Sequence, residues 1–215
     1  MKKALIVQGG WQGHEPQQVA EIVAGALRAN GFEVEIADTL DALKDGAKLK
    51  ALDLIFMAWT MGKIERDQLT PLLEAVASGV GLAGVHGGMG DSFREATDYQ
   101  YMVGGQWVAH PGNDGVEYWV HIVDHEHVIT RGLSDFQVKS EHYYMHIDPA
   151  IHVLATTPFD DVAMPVAWTK MWGRGRVFYC SLGHVAQVFD QAPQILEMVT
   201  RGMLWAAEGK ALAQV

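Results

Sequence analysis

Residues 80–88, Val80-Gly81-Leu82-Ala83-Gly84-Val85-His86-Gly87-Gly88, decide the fold. An unbroken run of apolar and small residues ends in a histidine set before two glycines. Such a run, bounded by glycine, predicts a buried strand closing in a sharp turn. A strand apolar on both faces belongs in a parallel sheet covered on both sides. The sequence upstream agrees. Residues 65–78 place Leu69, Leu72, Leu73 and Val76 on the inward face of a helix, and residues 53–58 (DLIFMA) read as a strand. Further back, residues 3–8 (KALIVQ) form an apolar run ended by Gly9-Gly10. Pro16 opens a helix at a position where its missing N–H costs nothing. Val19, Ile22, Val23, Ala26 and Leu27 then make one apolar stripe. Asn30-Gly31 stops that helix, and residues 33–37 (EVEIA) alternate as a second strand. Strands alternating with helices in this way give an α/β architecture.

Downstream of residue 100 the texture changes. Residues 116–123 (VEYWVHIV), 151–156 (IHVLAT) and 162–168 (VAMPVAW) are strand-like, with little helix between them. Gly173-Arg174-Gly175 reads as a hairpin turn leading into 176–182 (RVFYCSL), and a last helix is expected from about Pro193 to Ala207. The expectation is a flavodoxin-like three-layer sandwich, mainly parallel, with an antiparallel extension. With 215 residues and no repeat, linker or low-complexity segment, residues 1–215 read as a single domain.

Composition narrows the partners. Sixteen Lys and Arg against 26 Asp and Glu leave a formal net charge of −10. Without a basic patch, such a chain repels phosphate backbones and anionic lipid, so neither nucleic acid nor a membrane is expected. The single cysteine, Cys180, forms no internal disulfide and sits in a strand run, where it reads as a small buried hydrophobe. The opening residues hold an apolar run of only four residues before Gln8, whereas a signal peptide needs roughly 7–15. No apolar run approaches the ~20 residues of a spanning helix. The cytoplasm is the expected location.

Ten histidines stand out, and their placement matters more than their number. In open parallel sheets, sites form at the carboxyl ends of the strands. His14 follows the first strand, His86 follows VGLAGV, and His184 follows RVFYCSL. Parallel neighbours would bring all three imidazoles to one rim, joined by Trp59-Thr60. The Gly84-Val85-His86-Gly87-Gly88 turn has the layout of a nucleophile elbow, with imidazole in the reactive position. Glu141, within Glu141-His142-Tyr143-Tyr144, is the candidate carboxylate. His14, His86 and His184 could hold a divalent ion such as Zn²⁺, although no HExxH-type spacing accompanies them. Equally, neutral imidazoles with Glu141 could do metal-free acid–base work. Trp11, Trp59, Trp107 and Tyr144 suit stacking on the apolar face of a sugar ring, and His110, in a turn by composition, could line the mouth of the site with His14. Each also has a structural reading: a core aromatic, a strand-end charge or a turn histidine. No GxGxxG or GxSxG motif is present, which removes the usual signs of a dinucleotide site and of a serine nucleophile.

These pieces resemble the ThuA-like (trehalose utilisation) family, which has a class I glutamine amidotransferase-like fold. The likeness runs over about residues 3 to 208. It is carried by Gly13-His14-Glu15, the 81–88 stretch, His127-Val128-Ile129-Thr130-Arg131-Gly132-Leu133, Glu141-His142-Tyr143-Tyr144 and Pro165-Val166-Ala167-Trp168. The most specific piece is Gly173 to His184 (GRGRVFYCSLGH). The resemblance implies a role in carbohydrate metabolism, on trehalose, a related glycoside or a 3-keto-glycoside. It also implies that glutaminase chemistry is absent, because His86 occupies the elbow that holds cysteine in amidotransferases. His184 would match the amidotransferase histidine. One departure is Ser140, where an acidic residue before Glu141 is expected. His86, His184 and Glu141 are therefore the expected catalytic groups, with a small sugar or glycoside as ligand and a homodimer as a plausible assembly. The competing expectation is a non-catalytic sugar-binding or interaction subunit that has kept the pocket without the thiol.

Overall fold

In the computed structural model, which describes residues 1–213, β1 (Lys2–Gly10) is buried on both faces. Ala4 and Ile6 enter one core while Leu5 and Val7 enter the other. The same division holds along β3 (Leu54–Thr60), β4 (Gly81–Val85) and β11 (Gly175–Cys180). It follows from the two-residue period of a strand. With β2 (Phe32–Ala37), these strands run parallel in the order β2-β1-β3-β4-β11. One face is covered by α1 (Pro16–Ala29) and α6 (Pro193–Leu212), the other by α2 (Gly46–Ala51), α3 (Arg66–Ala77) and α5 (Thr97–Val103). The result is the expected α/β sandwich with a mostly parallel sheet.

The sheet continues antiparallel through β10 (Val162–Trp172), β9 (His152–Phe159), β6 (Val116–Ile122) and β7 (Phe136–Ser140), nine strands in all. Trp172 pairs with Gly175, so the turn between β10 and β11 is only Gly173-Arg174. Gly173 has φ 56°, and a Cβ there would lie 2.7 Å from the Ala77 carbonyl oxygen. Only glycine suits that position. A separate two-stranded sheet pairs β5 (Gly105–Ala109) with β8 (Tyr144–Ile147). The sequence reading did not assign β5, β7 or β8, nor α2 and α5. These elements are four to seven residues long, too short for a periodic signal. The last helix also runs beyond Ala207 to Leu212, through a segment rich in helix-favouring Ala, Glu, Lys and Leu. Among the described residues, no helix is long and apolar enough to cross a membrane.

Candidate functional site

The carboxyl ends of β1, β3, β4 and β11 lie side by side, and each delivers one polar side chain. After β1 the chain makes a 3-10 turn over Gln12–His14, which ends on buried His14. His14 Nδ1 lies 2.8 Å from the hydroxyl of Thr60, the last residue of β3. His86 follows β4 with φ 46° and ψ −141°, a conformation rarely adopted by a residue with a side chain. Its N–H donates to the Cys180 carbonyl at 2.7 Å, and the four-residue α4 (Gly87–Gly90) starts directly after it. A Cβ on Gly87 would sit 2.4 Å from the His14 ring, so glycine is what lets the two imidazoles approach. His184 comes from the loop after β11. Glu141 comes from the segment joining β7 to β8, held by Tyr118 Oη, which donates to the Glu141 carbonyl at 3.0 Å.

All four groups are buried. Glu141 Oε2 lies 3.0 Å from His86 Nε2, 3.4 Å from His184 Nδ1 and 3.7 Å from His14 Nε2. His184 Nδ1 and His86 Nε2 are 3.3 Å apart. One ligand atom from each of the four lies within 4.8 Å of all the others. His86 Nδ1 sits 2.7 Å from the Ser181 carbonyl, which can only accept, so that nitrogen carries the proton. In the neutral ring the Nε2 lone pair then points at Glu141. Burial pushes the His86 pKa down to about 4, against the pull of Glu141, which favours the neutral ring at physiological pH. Burial also opposes charge on Glu141. Hydrogen bonds with His14, His184 and His86 outweigh it and hold the carboxyl far below the usual carboxylate range. A lone pair and a carboxylate facing each other at 3.0 Å call for an electrophile between them, either a proton or a cation. Three imidazole nitrogens and one carboxylate oxygen are a donor set suited to zinc and its neighbours. The partners on His86 Nδ1 and His14 Nδ1 are the outer contacts that such ligands ordinarily have.

His14, Glu141 and His184 floor a cleft of about 340 Å³, while His86 is fully buried behind them. Trp11, half exposed, meets His14 edge-on at 4.7 Å. His110 and Trp107 also line the cleft, and both His110 Nδ1 and Trp107 Nε1 are buried without a partner in the protein. The structure puts two of the expected aromatics elsewhere. Trp59 packs over Gly9 and Gly62 against the core, and Tyr144 meets Phe159 edge-on at 5.4 Å. Tyr143 takes the place expected for Tyr144, stacking on His86 with ring centroids 3.9 Å apart. Successive residues of an extended segment face opposite ways, and composition alone does not say which of two tyrosines faces the cleft. Met61, Asp91, Arg94, Asn113 and Asp114 complete the walls. Of these, Arg94 binds buried Asp91 through two contacts of 2.6 and 2.9 Å. No local pattern in the sequence singled out this pair. His121 and His152 lie on the surface, paired with Asp135 and Asp124. Cys180 is fully buried, its thiol pushed up to about 12 by burial, which removes it as a nucleophile.

A family model described as ThuA, trehalose utilisation, matches residues 3–206. No curated protein matches the sequence. Among solved structures, a ThuA-like protein from Parabacteroides merdae ATCC 43184 superposes with a TM-score of 0.78 at 18% identity, over 97% of this chain and 91% of that one. A ThuA-like protein from Bacteroides uniformis ATCC 8492 gives 0.76 at 19%, over 93% and 89%. A cytoplasmic protein of Salmonella typhimurium LT2 gives 0.68 at 15%, over 97% and 98%. At these identities the likeness to each structure is one of fold.

Proposed function

The chain belongs to the ThuA family, described by trehalose utilisation, and on that premise we propose that it acts on a trehalose-type glycoside, or the 3-keto form of one, held over His14, His86, Glu141 and His184. The observation that supports this reading most strongly is the convergence of three buried imidazoles on one carboxylate oxygen at the floor of an aromatic-rimmed cleft. Trp11 offers a flat apolar face to a sugar ring, and the unpartnered His110 Nδ1 and Trp107 Nε1 offer polar contacts to its hydroxyls. In a 3-keto-glycoside the hydrogen next to the carbonyl is acidic. We assign that proton to the His86–Glu141 pair, in which Ser181 fixes the ring and the Glu141 carboxylate reaches the cleft. Departure of the oxygen one carbon further on would follow, with His184 placed to protonate it. Glu141 carries the charge that steadies the imidazolium formed. A divalent ion on the same four ligands would polarise a carbonyl or hydroxyl oxygen of the substrate. A cytoplasmic location belongs to this reading, in line with the description of the Salmonella relative.

The test is turnover of a panel of 3-keto-glycosides by the wild type and by a His86→Ala/His184→Ala double variant. The expected result is product from the wild type and loss of at least a thousandfold in the variant. Full activity in the variant overturns the assignment. An elbow without a thiol favours a second reading, a sugar-binding subunit, whose signature is saturable sugar binding by the wild type with no product over hours.

A further inference from the structure

On α3 the sequence predicts four inward residues, but the structure buries only Leu72 and Val76. Leu69 and Leu73 are left half-covered, facing a second cleft of about 850 Å³. Arg66, Leu69, Thr70 and Leu73 recur at helical spacing and form one wall of that cleft, which residues 93–96 and Asp98 also line. The larger cleft adjoins the histidine cleft, and Met61 and Arg94 line both. The ridge between the two clefts is fixed in place. Arg94 is held by both oxygens of Asp91 and lies over the Trp107 ring at 4.6 Å. Met61 (φ 59°) and Phe93 (φ 49°) both adopt left-handed backbone. Met61 N–H donates to the Asp91 carbonyl at 2.9 Å, and Phe93 N–H donates to the Met61 carbonyl at 3.2 Å. Paired strain in residues with side chains, held by these two backbone hydrogen bonds, marks a place where the chain is shaped for use.

We propose that the 850 Å³ cleft is a second subsite, which takes the outer, uncharged sugar ring of a glycoside whose other ring lies over the histidines, with Arg94 and Met61 beneath the linkage. This inference rests on the sugar reading of the histidine cleft. The charges on the walls support an uncharged ring. Lys63, Arg66 and Arg94 are balanced by Glu95, Asp98 and the Asp91 that takes up Arg94. A phosphate or carboxylate ligand would find no net attraction there. An apolar strip from Leu69 and Leu73, flanked by donors and acceptors, suits a ring with one apolar face and hydroxyls around its edge.

The experiment compares methyl 3-keto-α-glucoside, 3-keto-trehalose and 3-keto-trehalose phosphorylated on the outer ring. Dissociation constants are measured by ligand-observed NMR on the full chain. Wild type is expected to bind 3-keto-trehalose at least tenfold more tightly than the methyl glycoside. Thr70→Trp, an exposed substitution that lines the larger cleft but not the histidine cleft, is expected to remove that difference while leaving the methyl glycoside unchanged. A Lys63→Ala/Arg66→Ala variant provides a second reading with smaller side chains and should weaken only the disaccharide, by threefold or more. Equal binding of mono- and disaccharide, or indifference to both variants, overturns the second subsite while the histidine site stands. Tighter binding of the phosphorylated sugar overturns the uncharged occupant. Binding of none of the sugars overturns the sugar reading of both clefts.

Discussion

At the residue scale the site depends on what is missing from Gly87 as much as on the histidines. A methyl group there would meet the His14 ring at 2.4 Å and the Tyr143 hydroxyl at 3.0 Å. Gly87→Ala should therefore push His14 away from Glu141, abolish turnover, and cost about 1–3 kcal/mol of stability by overpacking. Urea unfolding alongside activity checks this, and a fully active alanine variant would contradict the packing. His142, the neighbour of Glu141, makes a different prediction. It is stacked between Tyr118 at 4.2 Å and Phe159 at 4.0 Å, with Thr157 Oγ1 3.0 Å from Nε2. Burial pushes its pKa down to about 4 from an ordinary 6.5. The unfolded chain thus takes up a proton before the native state does, so the stability this site contributes is complete above pH 6.5 and drains away as pH falls towards 4. His142→Phe keeps the stack and removes the titration. Its urea midpoint should fall less than that of the wild type between pH 7 and pH 4.5. Parallel decline in the two proteins would place the acid sensitivity elsewhere.

At the scale of elements, the strands and helices most legible in the sequence are those that cover a sheet buried on both faces. KALIVQ, DLIFMA, VGLAGV and RVFYCSL were readable because burial on two faces demands unbroken apolar runs, and the rim histidines were readable because each follows one of these runs. Tyr143, Asp91 and Arg94 were not, because they reach the cleft from short segments whose direction is set by tertiary contacts such as the Met61–Asp91 and Phe93–Met61 hydrogen bonds. The Leu69 and Leu73 positions show the converse: helical spacing identified the stripe but not the open cleft in front of it. Between elements, α6 crosses β11 closely enough that a Cβ on Gly202 would stand 2.3 Å from the Phe178 ring. Alanine there gains up to about 1 kcal/mol of helix propensity but must separate helix from sheet. Gly202→Ala is expected to lower stability by about 1–3 kcal/mol net, measured by urea unfolding, with sugar binding retained in the folded fraction. A stabilised variant would mean that α6 can slide on the sheet.

For the whole molecule, the remaining choice is between a proton and a cation at the centre of the cluster, and stability reports it without any knowledge of the substrate. The four ligands arrive from four separate places: the turn after β1, the elbow after β4, the β7–β8 segment and the loop after β11. An ion joining them would cross-link the parallel core to the antiparallel extension and would bind the native state far better than the unfolded one. At free zinc a hundredfold above the dissociation constant, linkage adds about 2.7 kcal/mol. In a chain of this length that corresponds to roughly 5–10 °C in Tm. Differential scanning fluorimetry of chelator-treated protein should show such a rise with added Zn²⁺, Mn²⁺ or Ni²⁺. His86→Ala/His184→Ala should abolish it, and elemental analysis of protein purified without tag or chelator should find about one equivalent of metal in the wild type alone. If neither the rise nor the metal is seen, the electrophile between His86 and Glu141 is a proton, and the acid–base reading of the site operates with imidazole and carboxylate alone.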